Sequence, residues 1–362
     1  MRKIYSLISL AALNFFFIVQ LKAQPYYSLE TVKVADDIYM LKAANVSAFW
    51  VTGNITVIIN EDDVFVVDSG LLPSVGDMAI AAIKKLTNKP VRYLFNTHWH
   101  GDHWQGNESF KKVFPSIQII TTEENLRNIK RFGMLWVKKN YRDNYEAEIK
   151  AREKELATNM SRSGDSLSKA DKKELTDDLP YNKKELEEMN GLNPVFPNVT
   201  FSKEMTLVKG IREIKMLYLG IGNTSGDGIV YLPKEKILIS GDLVVYPSPY
   251  ESGNFSREWL ETLRKLNSFD FNYLLPGHGP VFNDHKYVSF LIDMFGEIIS
   301  RVNKEVDEGK SLEDTQKEVT YKAVMDALSE HAEYRDFVKN IDPSFISTAI
   351  LRAYPKARES KL

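Results

Sequence analysis

The stretch at residues 96–103, Asn-Thr-His-Trp-His-Gly-Asp-His, constrains this chain more than any other. It holds three of the six histidines within six residues, with an aspartate among them. The run directly before it, at residues 91–95, is rich in apolar and aromatic side chains and is typical of a buried strand. The sequence therefore predicts ionisable side chains clustered where a buried strand ends and a loop begins.

The spacing within this stretch can bring four side chains to one point. Side chains alternate along a strand, so His98 and His100 should face the same way. Gly101 lets the backbone bend, so that Asp102 and His103 can approach from another direction. Imidazole and carboxylate are ligands for zinc, iron or manganese, and such a cluster is costly to bury without a cation. We therefore predict a metal site.

The run resembles the His-x-His-x-Asp-His signature of the metallo-β-lactamase superfamily. The resemblance covers roughly residues 32–280 apart from an insertion, and it implies an αββα sandwich with metal ligands on loops along one edge. It also implies that Asp242, after a strand, bridges two metals and that His278, in a Pro-Gly-His run, completes the second site. The implied ligands are His98, His100, Asp102, His103, Asn223, Asp242 and His278. Asp102 would in addition orient the nucleophile, which makes it the expected catalytic residue.

Asn223 is where the chain departs from that family pattern. The superfamily has a histidine at this position, in a Gly-x-x-His-Thr-x-Gly-Asp loop. An amide oxygen is a weaker donor to zinc than imidazole, so the first metal site should bind less tightly or stay empty. Alternatively, Asn223 donates a hydrogen bond to the substrate or to hydroxide. The expected cofactor is one or two zinc ions, with iron or manganese as alternatives.

Composition excludes several classes of partner and chemistry. The hydrophobic content of 43% and the charged content of 27% are typical of a soluble globular protein. The net charge of −2 gives no sign of the basic face that nucleic-acid binding requires. The absence of cysteine excludes a disulfide, a thiolate ligand and a cysteine nucleophile. The predicted partner is a small-molecule substrate.

The N-terminus has the pattern of a secretory signal peptide. Arg2 and Lys3 precede an apolar run at residues 4–19, and the small residue Ala23 ends the segment. We expect cleavage after Ala23, no stable membrane span afterwards, and a periplasmic or secreted protein. The alternative is an uncleaved membrane anchor, which an intact Met1 in the exported protein would support.

Two stretches of the chain repeat one pattern. Residues 55–68 and 229–242 each contain a strand, a charged turn, a second strand and a final aspartate. This repetition suggests two similar half-domains. In the first half we expect Asp68 to orient a ligand or a loop.

The predicted domain organisation has three parts. Residues 1–23 form the signal peptide, residues 24–284 the metallo-β-lactamase-like domain, and residues 285–362 a C-terminal helical segment. The domain contains a charged helical insertion at about residues 134–190, punctuated by Gly164 and Pro180. The insertion is either a solvated decoration or a lid over the metal site. The candidate lid contacts are Trp136, Tyr141 and Tyr145.

The pattern favours an exported metal-dependent hydrolase. A metal-bound hydroxide would attack an ester, thioester, lactone or similar bond. The aromatic stretch at residues 246–250, with Phe255 and Trp259, could form the wall of a pocket for an apolar group. Three alternatives are a β-lactamase, an iron-dependent enzyme like persulfide dioxygenase, and a non-catalytic site that binds a metal or a partner.

Overall fold

The computed structural model describes residues 27–45, 51–134, 141–250 and 256–359. Within these residues the strands form two sheets. The seven-stranded sheet follows chain order: β1 (Tyr27–Ala35), β2 (Ile38–Asn45), β3 (Ile55–Ile59), β4 (Val64–Val67), β5 (Val91–Phe95), β6 (Gln118–Thr122) and β7 (Val199–Phe201). The five-stranded sheet has the order β12-β11-β10-β9-β8, from β8 (Glu204–Lys209), β9 (Arg212–Tyr218), β10 (Gly228–Leu232), β11 (Ile237–Val245) and β12 (Tyr273–His278).

The helices lie between and after these strands. The first four are α1 (Pro73–Leu86), α2 (Gly101–Trp104), α3 (Asn107–Val113) and α4 (Glu123–Asn128), which continues as a π-helical turn over Ile129–Gly133. The insertion holds α5 (Tyr141–Thr158) and α6 (Lys169–Gly191). The remainder are α7 (Ser256–Asn267), α8 (Lys286–Asp307), α9 (Leu312–Glu318), α10 (Tyr321–Ser329), a 3-10 turn over Ala332–Tyr334, α11 (Arg335–Val338) and α12 (Pro343–Glu359).

The two sheets pack face to face, and the alternation of side chains explains why. In β4, Phe65 and Val67 join a buried cluster that also contains Val230 and Ile239 of the second sheet. Val66, between them, points to the opposite face and packs with α1 and α3. Because every residue of β3 and β4 is buried, both faces of these strands must be covered.

Helices cover the two outer faces. Ile80 of α1 packs on the first sheet, whereas Trp259 of α7 and Phe295 of α8 pack on the second. The result is a four-layer αββα sandwich, which confirms the predicted fold class. α12 extends the outer layer on the second sheet through Ile346 and Ala349. The domain boundaries stay predictions.

Each sheet contains the repeated unit that the sequence suggests. β3 pairs antiparallel with β4, which pairs parallel with β5. In the same way, β10 pairs antiparallel with β11, which pairs parallel with β12. The carboxyl ends of the two parallel pairs therefore carry the ligand-type residues of both halves.

Two local predictions differ from the structure, and a third falls largely outside the described residues. β11 does not end at Asp242 but continues to Val245, because an irregularity at Gly241, with φ of 51°, lets the strand resume. Pro180 does not interrupt the insertion but lies inside α6, which is held on either side by buried residues. The strand expected at residues 48–51 falls largely on residues outside the described part, and Val51 itself is not in a strand.

The insertion is fixed to the first sheet by a buried carboxylate. Glu185 of α6 is buried and accepts hydrogen bonds from the hydroxyl groups of Tyr27 in β1 and Tyr145 in α5. Tyr145 is therefore part of this internal contact. Of the other suggested lid contacts, Trp136 and the side chain of Tyr141 lie outside the described residues.

No helix within the described ranges is both long and apolar enough to cross a membrane. The expected signal peptide, at residues 1–23, lies outside those ranges.

Candidate metal centre

The ligand-type residues meet at the carboxyl ends of the parallel strands. His98 and His100 follow β5, and Asp102 and His103 lie in the single turn of α2. From the other sheet, β11 carries Asp242 and β12 ends at residue 278. Parallel neighbours place these positions at one edge of the sandwich, which is why residues far apart in the chain can meet.

The first group of ligand atoms consists of His98, His100 and Asp242. Nε2 of His98 lies 2.9 Å from Nδ1 of His100 and 3.4 Å from Oδ2 of Asp242. His98 is fully buried. Three donors at this separation can converge on one cation.

The second group consists of Asp102, His103 and His278. Oδ2 of Asp102 lies 3.2 Å from Nε2 of His103 and 3.0 Å from Nε2 of His278. The two imidazole Nε2 atoms are 3.3 Å apart. Each group keeps its ligand atoms within 4.8 Å of one another.

Asp242 belongs to the first group and also faces the second. Its Oδ2 faces His98, while its Oδ1 lies 3.4 Å from Nε2 of His103 and 3.7 Å from Nε2 of His278. Gly277 makes this approach possible, because a Cβ atom there would lie 1.9 Å from Oδ1 of Asp242. The carboxylate can thus offer one oxygen to each group.

Asp68 holds the second group from behind. Its Oδ2 lies 2.7 Å from Nδ1 of His103, and it also accepts a 2.9 Å hydrogen bond from the hydroxyl of Thr97. Its Oδ1 accepts a 2.8 Å hydrogen bond from the backbone N–H of Thr97. With Nδ1–H donating to Asp68, Nε2 of His103 is the atom that can bind a cation.

The electrostatics keep His100 neutral and both aspartates charged, as metal binding requires. Burial and the neighbouring His98 lower the pKa of His100 to about 3, so this ring is neutral. Burial alone would raise the pKa of Asp102 and Asp242, but His103 and other histidines outweigh it and hold both well below the usual range. Burial would lower the pKa of His103, but the surrounding carboxylates raise it well above its ordinary value. A bound cation would take the place of that proton.

Two buried oxygen atoms show that the donor set fits a cation. Oδ1 of Asp242 and Oδ1 of Asn223 are buried and accept no hydrogen bond from the described part of the chain. Buried oxygens without donors are costly, and a cation would satisfy a carboxylate that faces imidazole nitrogens. The nitrogen and oxygen donors fit zinc and also iron or manganese.

Asn223 lies beside the first group, in the loop between β9 and β10. Its Nδ2 is 3.4 Å from Nδ1 of His100, and the residue is buried. A neutral amide therefore occupies the position next to the first group, where a third imidazole would complete a stronger donor set.

We expect Asn223→His to strengthen the first metal position. The added imidazole should raise the affinity for the more weakly held ion at least about tenfold, because changes at or around metal ligands commonly have effects of this size. Metal content by mass spectrometry after graded chelation measures it. Asn193→His, at an exposed position, is the matched control. Two equally tight ions in the unmodified protein would contradict a weakened first position.

A cavity of about 380 Å³ opens above these residues. We call it the metal-site cavity; ligand-type residues form its floor, and apolar or aromatic side chains form its walls. The floor contains His100, Asp102, Asp242 and His278, and the walls include Val51, Leu71, Trp99, Pro247 and Tyr250.

The aromatic stretch after β11 has the predicted place, with one correction. Tyr246, Pro247, Ser248 and Tyr250 line the metal-site cavity. Trp259, however, is fully buried on the inner face of α7 and donates its Nε1–H to the carbonyl of Leu243. Its amphipathic helix directs it into the core. Phe255 lies outside the described residues.

Two wall residues were missed by sequence reasoning. Trp99 lies between two ligands, and its ring contacts that of His100 at 4.6 Å between centroids. Gln105 lines the cavity at the end of α2. Its helical spacing of four from Gly101 was the available signal, because such residues share a face.

Comparisons with known proteins agree with this fold. A linear primary-alkylsulfatase from Pseudomonas sp. is 23% identical over 256 residues, which is 67% of this chain and 44% of that protein. The chain thus spans less than half the length of this curated relative. A metallo-beta-lactamase from Pontibacter korlensis resembles the fold with a TM-score of 0.52 at 16% identity, over 74% of this chain and 99% of that one. A structure of TMB-1 gives a TM-score of 0.50 at 15% identity, over 75% and 98%.

The family model for the metallo-beta-lactamase superfamily matches residues 48–278. This match covers most of the chain, including both groups of ligand-type residues. The chain therefore belongs to the metallo-beta-lactamase superfamily.

Proposed function

We propose that this protein uses a bound divalent metal to hydrolyse an ester-type bond in a small molecule that carries an apolar group. The observation that carries the proposal is the position of the two ligand groups at the floor of a cavity with apolar walls. The floor supplies the chemistry, and the walls favour an uncharged, apolar part of the substrate.

Zinc is the cofactor that we propose first. The residues that would hold it are those of the two groups, with Asp242 between them. A divalent cation here would acidify a water molecule and polarise the oxygen of the scissile bond. Asp102 lines the cavity as a charged carboxylate and can also accept a hydrogen bond from the attacking water. Asp68 keeps the ring of His103 oriented while this happens.

The walls of the metal-site cavity would contact the apolar part of the substrate and exclude water. The rings of Trp99 and Tyr250 both lie close to that of His100, with centroid distances of 4.6 Å and 6.1 Å. Val51 and Leu71 add aliphatic surface. An aryl or alkyl group placed here would bury apolar area and bring the adjacent ester bond to the floor.

A sulfate ester is the second candidate for the scissile bond. The alkylsulfatase relative favours it, and an alkyl chain would suit the same apolar walls. Its low identity and partial coverage rank it below the carboxylic esters, thioesters and lactones. Lactam hydrolysis, iron-dependent oxidation and a non-catalytic role remain alternatives that the same experiment separates.

The test is a substrate panel with defined metal loading. The purified protein, loaded with zinc, iron or manganese, is assayed against aryl esters, thioesters, lactones, dodecyl sulfate, phosphodiesters and nitrocefin. We expect zinc-dependent turnover of an ester-type substrate that is lost after chelation and restored by zinc. Faster turnover of nitrocefin than of every ester would place lactam hydrolysis above ester hydrolysis as the function. Oxygen consumption by the iron-loaded protein with an added persulfide would favour the alternative like persulfide dioxygenase, and no turnover of any substrate would contradict a hydrolytic role.

A further inference from the structure

Gln105 has an unusual place in the metal-site cavity. It directly follows α2, the helical turn that carries Asp102 and His103, and its backbone N–H donates to the carbonyl of Gly101. The side chain folds back over the same turn. It comes so close to Gly101 that a Cβ atom there would lie 2.5 Å from Nε2 of Gln105. The amide is thus held beside the floor of the cavity, next to two ligand-type residues.

The side-chain amide of Gln105 forms no hydrogen bond with the described residues, although the residue is only 4% exposed. Two other buried amides near the site are paired: Asn107 donates to Asn96, and Asn96 donates to the carbonyl of His103. An amide can donate two hydrogen bonds and accept two. Because Gln105 lines the metal-site cavity and its amide has no hydrogen-bond partner among the described residues, its hydrogen-bonding capacity is open to whatever fills that cavity.

The rest of the cavity limits what this occupant can be. Neither lysine nor arginine is among the described residues that line it. Within the described lining, a second anionic group on the substrate would thus meet no positive side chain away from the floor. Ser248 is already engaged, since its hydroxyl contacts the carbonyl of Pro249 and accepts from the N–H of Asp342. Gln105 directly follows the turn that carries Asp102 and His103, so among the neutral polar side chains of the lining, which include Tyr246 and Tyr250, it is placed to select an uncharged polar atom beside the floor.

We propose that the amide of Gln105 is a specificity-determining group that hydrogen-bonds an uncharged oxygen, either hydroxyl or carbonyl, beside the scissile bond. The substrate class is then a neutral ester with an apolar body and one such oxygen next to the reacting carbonyl. This inference rests on the proposed function for its reacting bond, but not for the hydrogen bond itself.

The test separates binding from hydrolysis. Mandelamide and phenylacetamide are neutral ligands that differ only in one hydroxyl group next to the carbonyl. Isothermal titration calorimetry on the zinc-loaded protein measures both affinities without turnover. We expect mandelamide to bind about tenfold more tightly, the value of one hydrogen bond at a buried site. Gln105→Met, which keeps the length of the side chain without the amide, should reduce that ratio to near one.

Matched measurements keep the result specific. Gln316→Met, at an exposed position on α9, should leave the ratio unchanged. Metal content should be the same in all three proteins, and the affinity for phenylacetamide should change less than about threefold, as expected when no hydrogen bond is lost. An equal affinity for the two ligands in the unmodified protein, or a ratio that survives Gln105→Met, would overturn the assignment. An equal loss of affinity for both ligands in Gln105→Met would show that Gln105 has only a structural role, and it would also overturn the assignment.

Hydrolysis of the corresponding aryl esters is then measured separately. The same preference in kcat/KM supports both the assignment and the proposed function. Selective binding of mandelamide without hydrolysis of either ester would sustain the role of Gln105 and count against the ester as the reacting bond.

Discussion

Replacing Asp242 by alanine should remove both metal binding and turnover. One oxygen of this carboxylate faces each ligand group, so a single substitution weakens both. Loss of a residue that merely supports a ligand commonly costs 10–100-fold, so loss of a shared ligand should lower kcat/KM more than about 100-fold. The removal also leaves two buried imidazoles, those of His98 and His103, without the carboxylate that they face. Metal content by mass spectrometry and turnover of the best substrate measure the effect.

Asp270→Ala is the control for this variant. Asp270 lies just before β12, at the opposite end of the same sheet, and its exposed carboxylate pairs with Lys236. Losing an exposed ion pair should leave metal content and turnover unchanged. If Asp242→Ala keeps full metal content and activity, Asp242 is not a shared ligand, and the proposed function fails with it.

The second large effect is expected from Asp68→Asn. Asp68 has a φ of 62°, and asparagine tolerates this left-handed conformation, so the backbone should not change. The carboxylate accepts from three donors, two on Thr97 and one on His103. An amide has only one oxygen and brings an NH₂ group against the remaining donors. We expect metal affinity to fall about 10–100-fold and the unfolding free energy to fall by about 1–3 kcal/mol.

Asp63→Asn separates these two effects. Asp63 precedes β4, whereas Asp68 follows it, and both are buried. Asp63 pairs with Lys209 and accepts a hydrogen bond from Asn60, away from the ligand groups. Its substitution should lower the unfolding free energy without changing metal affinity. Calorimetric unfolding and metal titration of both variants provide the comparison, and unchanged metal affinity in Asp68→Asn would exclude a role for Asp68 in orienting His103.

Local sequence was sufficient wherever a short-range pattern decides the structure. The buried strand at residues 91–95 forms as predicted. Thr122 caps α4, and its hydroxyl accepts from the backbone N–H of Asn125. The hairpins at residues 55–67 and 229–239 also form, because alternating apolar residues and charged turns specify them locally.

Long-range packing decided the rest. From the sequence, Trp259 and Tyr250 are equally good candidates for a pocket wall. In the structure, α7 directs Trp259 into the core, whereas Tyr250 lines the metal-site cavity. Pro180 looks like a break, yet buried residues on both sides keep α6 continuous. Local propensity is weak compared with burial of a whole helical face, so tertiary contacts prevail.

The sequence by itself determined which residue types could bind a metal, because His98, His100, Asp102 and His103 are close along the chain. Only the tertiary structure decided how they are completed, since Nε2 of His103 and Nε2 of His278 meet across 175 residues. The same folding placed Asp242 between the two groups and left the amide of Gln105 facing the cavity. Periodicity fixes the face on which a side chain lies, but the partner on that face depends on how separate strands and helices pack.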